Sequence, residues 1–278
     1  MLRGPFLDRN WMGQNPDYAS SDIIMLGLPF DGTVSYRPGS RFAPEQIRLA
    51  SWGLEEYSPN FDKHLEDVNF HDAGDLEFPL GNTYKSLEVI EQNVEDIYKD
   101  GKKVFGIGGE HLVTLPEIKA VSKFYKDLAI VHFDAHTDLR EEYLGEEMSH
   151  SAVIRHASKI VAPENIKQIG IRSGMKEEFE FMKKHGTLVH KFEELDVLKS
   201  KKIFVTVDLD VLDPSVMPGT GTPESGGMQF KELIDWFKYL KNFDIIGADV
   251  VELAPDYDAS GVSTAVATKV IRELLMIF

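Results

Sequence analysis

The sequence predicts an α/β fold built on a parallel sheet. Short β-rich runs alternate with amphipathic helical segments along the chain, the pattern left by strands joined through crossover helices. Four of those runs end in the same kind of polar chemistry, and parallel sheets collect their sites at the carboxyl ends of their strands. In chain order the expected strands are 22 to 28, 68 to 72, 103 to 107, 128 to 134, 167 to 171, 187 to 191, 203 to 209 and 245 to 251. Helices are expected at 44 to 50, 83 to 100, 112 to 125, 149 to 161, 176 to 185, 228 to 240 and 259 to 276. The one at 83 to 100 is the clearest: Thr83 is positioned to cap it, Leu87, Ile90, Val94 and Ile97 make one apolar stripe, and Gly101 ends it. No composition shift, internal repeat or low-complexity tract divides the 278 residues, so residues 1–278 read as one domain. Alternation alone does not separate an eight-stranded barrel from an open sheet.

The run Leu128-Ala129-Ile130-Val131-His132-Phe133 leads into Asp134-Ala135-His136-Thr137-Asp138. If strand geometry continues, positions i, i+2 and i+4 project to one side and bring two carboxylates and an imidazole together. Two such carboxylates repel by roughly 4 kcal/mol at ~4 Å with an effective dielectric near 20, so a cation belongs between them. Val205-Thr206-Val207-Asp208-Leu209-Asp210 repeats the grammar. Four clustered carboxylates need about four positive charges, which fits two divalent ions. Lys103 to Ile107 runs into Gly108-Gly109-Glu110-His111, and the last strand ends Asp249-Val250-Val251-Glu252. Six ligands follow: His111, Asp134, His136, Asp138, Asp208 and Asp210. Their oxygen-rich, borderline-hard set suits two Mn2+ per chain better than a tetrahedral structural zinc. Two metals about 3.5–4 Å apart share a water and lower its pKa, which implies hydrolysis.

His150 lies twelve residues after Asp138 at the expected start of a helix that Ser149 can cap. A histidine over the site can carry protons to and from solvent. Glu252, spared from ligation, can clamp a planar guanidinium by bidentate hydrogen bonds. His132, inside an apolar strand, reads as a hydrogen-bonded core residue. Gly108-Gly109 reads as tight backbone at a strand end, and the glycine-rich stretch from Gly219 to Gly227 as an ordered loop. Neither has the third glycine or the lysine of a nucleotide-binding motif.

Other classes are disfavoured. A formal net charge of −16 argues against nucleic acid, whose phosphates need a basic stripe, and would draw in a cationic small molecule, although an acidic surface also serves solubility. There is no cysteine, so disulfides, thiolate catalysis and sulfur-ligated metals are excluded. The first ten residues include Asp8, Arg9 and Asn10, and no apolar stretch approaches the ~20 residues that span a bilayer. A cytoplasmic protein without a membrane partner is expected.

Together these motifs resemble the ureohydrolases, the arginases, agmatinases and relatives that use two manganese ions to split urea from guanidino compounds. The resemblance covers nearly the whole chain and rests on Gly108-Gly109-Glu110-His111, Asp134-Ala135-His136-Thr137-Asp138, the segment from Val207 to Pro214 and the loop 218 to 227. It implies a three-layer α/β/α sandwich with a mostly parallel eight-stranded sheet, a homotrimer or homohexamer, and the six ligands named above. Arg37-Pro38-Gly39-Ser40-Arg41-Phe42 and Pro218-Gly219-Thr220-Gly221-Thr222-Pro223-Glu224 look like the agmatinase branch. Arginases commonly place an acidic residue after a Gly-Leu-Arg-like strand end, whereas here Gly170-Ile171-Arg172 is followed by Ser173. Ser151-Ala152-Val153 also departs from relatives that carry glycine and a nearby proline. The implied reaction takes agmatine to putrescine and urea, with Glu252 holding the guanidinium, Asp138 passing a proton to the leaving amine and His150 exchanging protons with solvent. Substrate choice is expected to come from Glu141, Glu142, Glu146 and Glu147 at the pocket mouth. The competing readings are a guanidinobutyrase or arginase, and, outside catalysis, a metal-binding regulatory paralogue.

Overall fold

A computed structural model describes residues 10–13 and 16–278, so Asp8 and Arg9 lie outside the described residues. In chain order the elements are β1 (Ile23–Leu28), α1 (Ala43–Ser51), β2 (Tyr57–Ser58), β3 (Lys63–His64), β4 (Phe70–Asp75), α2 (Thr83–Lys99), β5 (Lys103–Gly108), α3 (Thr114–Ser122) and β6 (Leu128–Phe133). They continue as α4 (Val153–Ala157), β7 (Ile166–Ile169), α5 (Lys176–His185), β8 (Leu188–Val189), β9 (Lys202–Asp208), α6 (Phe230–Leu240), β10 (Asp244–Val251) and α7 (Val262–Leu275). Eight strands form one open sheet in the order β4-β1-β5-β10-β9-β6-β7-β8, and every pairing in it is parallel.

The two faces of this sheet are both covered, which makes three layers. Successive side chains in a strand point to opposite faces. Accordingly Ile23 and Met25 of β1, and Ala129, Val131 and Phe133 of β6, join the core under α1, α6 and α7. Ile24, Leu26 and Leu28, with Leu128 and Ile130, join the core under α2, α3 and α4. Strands apolar on both faces are what a sheet between two helical layers requires. Among the described residues, no helix is long and apolar enough to cross a membrane.

Helix α2 presents the expected stripe, with Leu87, Ile90, Val94 and Ile97 all buried, but Asn82 caps it instead of Thr83: the Asn82 side chain accepts the Lys85 N–H at 3.0 Å. The helix expected at 149 to 161 is only Val153–Ala157, preceded by a 3-10 turn at His150–Ala152. Ser149 makes no side-chain capping bond there. The ribbon of β2 and β3 is four residues in all, too short to leave a periodic signal.

The topology fixes the place of the site. After β5 the chain leaves for β6, and β10 and β9 later fill the gap between them. The four strand ends that carry polar chemistry are therefore the four central neighbours β5, β10, β9 and β6. The turn after β5 is bound tightly to the turn after β1: Gly109 N–H donates to Leu28 O at 2.8 Å and Glu110 N–H to Phe30 O at 2.7 Å. A Cβ on Gly109 would lie 1.9 Å from the Phe30 carbonyl oxygen, which is backbone and cannot swing away. Gly109→Ala should therefore destabilise the chain by at least the ~1–3 kcal/mol typical of overpacking. A thermal-unfolding midpoint equal to that of the parent chain would contradict this.

Candidate metal centre

Parallel register sets the first contacts of the site. Val251 of β10 lies opposite Asp208 of β9, and Phe133 of β6 opposite Val207, so Asp134 emerges beside Asp208. Beyond the strands, short local hydrogen bonds fold the side chains inward. His136 N–H donates to Asp134 Oδ1 at 2.6 Å, Asp210 N–H to Asp208 Oδ1 at 2.9 Å, and Ala135 N–H to Asp210 Oδ1 at 3.0 Å. All six residues expected as ligands meet here. His111 Nδ1 lies 3.1 Å from Asp134 Oδ2 and 3.3 Å from both Asp138 Oδ2 and Asp208 Oδ2. His136 Nδ1 lies 2.9 Å from Asp210 Oδ2 and 3.5 Å from Asp134 Oδ1. Asp134 reaches both imidazoles, so the cluster has two lobes that share one carboxylate.

The electrostatics are those of a cation site. His111 is buried, and its Nδ1 has no hydrogen-bond partner although three carboxylate oxygens surround it. Burial opposes a charge on His111, but the adjacent carboxylates of Asp134, Asp208 and Asp138 outweigh it and hold the ring well above the usual histidine range. His136 is pushed up to about 12, burial again being outweighed by Asp134 and Asp210. Burial and then neighbouring carboxylates push Asp138 and Asp208 well above the usual carboxylate range. Opposed by burial, the histidines around Asp134 hold it well below that range. Protons and histidine charge are thus drawn in to balance the carboxylates, and an oxygen-rich set with two imidazoles fits divalent metal equally well. His132 also lies in this cluster, but its Nε2 sits 2.7 Å from Asp134 Oδ2 and its Nδ1 3.2 Å from Gln168 Nε2. With both nitrogens engaged and burial pulling its pKa down, it orients Asp134, the satisfied core role expected of it.

Asp138 and Glu252 both have positive φ, +51° and +69°, a region that side-chain-bearing residues rarely occupy. The strained turn at Asp138 is held by its carbonyl, which accepts the N–H groups of Ile154 and Arg155, each at 3.0 Å. Glu252 Oε1 accepts the His111 N–H at 2.7 Å, and burial pushes its carboxyl up to about 7. His150 N–H donates to Thr33 Oγ1 at 3.0 Å, Thr33 Oγ1 donates to Glu110 Oε1 at 2.5 Å, and Ser35 Oγ lies 3.3 Å from His150 Nε2. Burial lowers the pKa of His150, keeping it neutral near pH 7. The buried Glu110, pushed up to about 8 by desolvation, is the clasp that holds this loop over the site.

Asp138, His150 and Glu252 line one cavity of about 230 Å³ with His111, His136 and Asp208. The acidic loop does not. Glu141 pairs with Arg155 at 2.9 Å, Glu146 accepts from Tyr84 Oη at 3.2 Å, and Glu142 and Glu147 are exposed, so none of the four reaches the cavity wall. The expectation that they select the substrate is corrected. The wall carries Glu178 instead, from the first turn of α5. Its Oε2 accepts the Thr137 hydroxyl at 2.8 Å and the Met175 N–H at 2.5 Å, while its Oε1 is buried with no partner. Sequence reasoning missed it because a glutamate in the first turn of a helix reads as a cap.

The model of the arginase family matches residues 21–277. An agmatinase of Bacillus subtilis (strain 168) is 50% identical over 277 residues, covering 96% of each chain. The crystal structure of a candidate agmatinase from Clostridium difficile superposes with a TM-score of 0.91 at 49% identity, covering 94% of this chain and 98% of that one. The agmatine ureohydrolase of Thermoplasma volcanium has a TM-score of 0.87 at 29% identity, covering 98% of this chain and 94% of that one.

A pH prediction follows from the carboxyls. Asp138, Asp208, Glu110 and Glu252 all have folded pKa values above their unfolded ones, so the folded chain, stripped of metal, binds more protons than the unfolded chain. The raised histidines act in the same direction, the lowered His132 and His150 act against it, and Asp134, ionised in both states above about pH 5, does not contribute. The stability of the stripped chain should fall as pH rises from about 5 to about 8. Since divalent metal displaces those protons, added Mn2+ should raise the Tm more at about pH 8.5 than at about pH 6. A metal-induced shift that is the same at both pH values would contradict this.

Proposed function

Because the chain belongs to the arginase family, we propose that it is a manganese-dependent ureohydrolase that takes agmatine and water to putrescine and urea. The observation that carries this reading is the convergence of four adjacent strand ends on one cavity, with two histidine-carboxylate lobes sharing Asp134 and a separate carboxylate, Glu252, beside them. His111, Asp134, His136, Asp138, Asp208 and Asp210 would hold two Mn2+. Metal bound there supplies Lewis acidity and lowers the pKa of water towards neutrality.

The remaining steps belong to the protein. Glu252 accepts hydrogen bonds from the guanidinium nitrogens and fixes the carbon for attack; its tendency to stay protonated is reversed by the cationic ligand it receives. Asp138, held at the cavity wall by its strained turn, takes the proton released by the attacking water and passes it to the leaving amine. His150, neutral and tethered through Thr33, exchanges protons with solvent. At the far end of the substrate, the unpartnered Glu178 Oε1 receives the terminal ammonium. This choice favours agmatine over 4-guanidinobutyrate, whose carboxylate would face that same buried oxygen, and over arginine, whose extra carboxylate would enter a cavity already lined by Asp138, Glu178, Asp208 and Glu252. The N-cap bonds of Glu178 Oε2 keep the charge in place.

Urea release measured with agmatine, arginine and 4-guanidinobutyrate in the presence of manganese tests the assignment. We expect kcat/KM for agmatine to exceed that for arginine by at least ~100-fold, about 2.7 kcal/mol. Comparable values, or a preference for guanidinobutyrate, would refute agmatine while leaving a ureohydrolase. A hydrogen bond to a charged group contributes ~1.5–3 kcal/mol, so Glu178→Gln should raise the KM for agmatine by ~10-fold or more. Glu141→Gln, remote from the cavity, should leave it unchanged. If the two variants affect agmatine alike, Glu178 does not hold its ammonium. His150→Asn should lower kcat with metal content intact, and added imidazole should restore part of the turnover. Loss of metal from that variant would make His150 a ligand.

A further inference from the structure

We infer that Asp249 is a positioning residue of the metal centre, fixing the tautomer of His111 through a directed hydrogen-bond chain that runs over Thr114 and Thr206. The inference rests on the metal-centre reading above and concerns the side of His111 that faces away from the cavity. His111 Nε2 lies 2.9 Å from Thr206 Oγ1, a β9 residue two positions before Asp208. Thr206 Oγ1 lies 3.4 Å from Thr114 Oγ1, at the start of α3. Thr114 Oγ1 donates to Asp249 Oδ2 at 2.6 Å, in β10. His111 is 1% exposed, and Thr114, Thr206 and Asp249 are 0% exposed, so solvent offers none of them an alternative partner.

Each link then has one possible direction. A carboxylate has no proton to give, so Thr114 donates to Asp249. The single hydroxyl hydrogen of Thr114 is thereby used, so Thr206 donates to Thr114. Thr206 is left only an acceptor lone pair, which must take a hydrogen from His111 Nε2. A histidine binds metal as the neutral imidazole, which has one N–H; with that hydrogen on Nε2, Nδ1 keeps its lone pair. That is the nitrogen aimed at Asp134, Asp138 and Asp208. The chain therefore presents a ready metal-binding nitrogen to the cluster, as the outer partners of metal-bound histidines do.

Asp249, which accepts from Thr114, shares its buried site with a second acid. Glu117 packs beside it; an added Cβ on Gly106 would lie 2.9 Å from both Asp249 Cβ and Glu117 Oε1, so the absence of a side chain at Gly106 makes room for the pair. Glu117 is 0% exposed, and burial followed by the field of Asp249 pushes it well above the carboxylate range. Asp249 was part of the strand-end chemistry of the sequence, yet it touches neither the cavity nor the six clustered residues; this chain gives it a role.

The test is Mn2+ affinity of the full-length chain, stripped with a chelator and titrated with Mn2+ alone in competition with an indicator. Thr206→Val, nearly isosteric, leaves Nε2–H unpaired, and the affinity for at least one Mn2+ should fall ~10–100-fold. Asp249→Asn should act in the same direction, because an amide can donate to Thr114 and let the chain run backwards. Thr206→Ser keeps the hydroxyl and should restore wild-type affinity, which loss of packing alone would not allow. Should Thr206→Val not fold, Thr114→Val breaks the chain one link further out and should also weaken Mn2+. Wild-type affinity in the folded Val variants, or equal losses in the Ser and Val variants at Thr206, would overturn the inference. A wild-type chain that binds no Mn2+ would overturn the metal-centre reading itself, and this one with it.

Discussion

The organising constraint of this molecule is the mutual repulsion of carboxylates gathered out of water at the ends of its central strands. Asp134, Asp138, Asp208 and Asp210 are all buried and all within one cluster. Pairs of like charges at such distances oppose one another by several kcal/mol at an effective dielectric of about 20. A fold does not gather such groups for its own stability. The parallel sheet makes the gathering possible, since β5, β10, β9 and β6 release their chains at one edge, and the rest of the molecule holds that edge in shape.

That support is visible in three places. The turn after β1 is sewn to the turn after β5, through the close approach at Gly109 and through Glu110, whose buried carboxyl grips Thr33 and with it His150. The carbonyl of Asp138 is pinned by the first N–H groups of α4, which holds a backbone conformation that would otherwise relax. Behind the cluster, His132 braces Asp134, and the hydroxyl chain from Asp249 braces His111. His132, Asp134, His111 and Asp249 are too deeply buried to be satisfied by water, so behind the cluster the site and the core stand or fall together.

Much of this was legible in the sequence for physical reasons. Strands apolar on both faces and a helix with the Leu87, Ile90, Val94, Ile97 stripe announce themselves by periodicity, and every strand of the sheet matches an expected run to within a few residues. The i, i+2, i+4 spacing from Asp134 to Asp138 marked the polar edge, because no core asks for it. Other features depend on contacts between residues far apart in the chain. Asn82 displaced Thr83 as a cap because the local backbone turns one residue earlier. Glutamates 141 to 147 looked like a charged pocket mouth, but Arg155 and Lys159 hold Glu141 and Tyr84 holds Glu146, and these partners cannot be paired from one dimension. Glu178 looked like an ordinary cap, and its place on the cavity wall depends on Thr137, which is 41 residues away in the chain. The link from Asp249 to His111 joins β10, α3, β9 and the turn after β5, and only the fold brings them together.

The central claim is that the clustered carboxylates are neutralised by two divalent ions. Its most direct test is elemental analysis of a fully active preparation reconstituted with manganese and freed of excess metal. The account predicts about two manganese per chain, as a dinuclear site requires. Full activity with one metal or none per chain would contradict it.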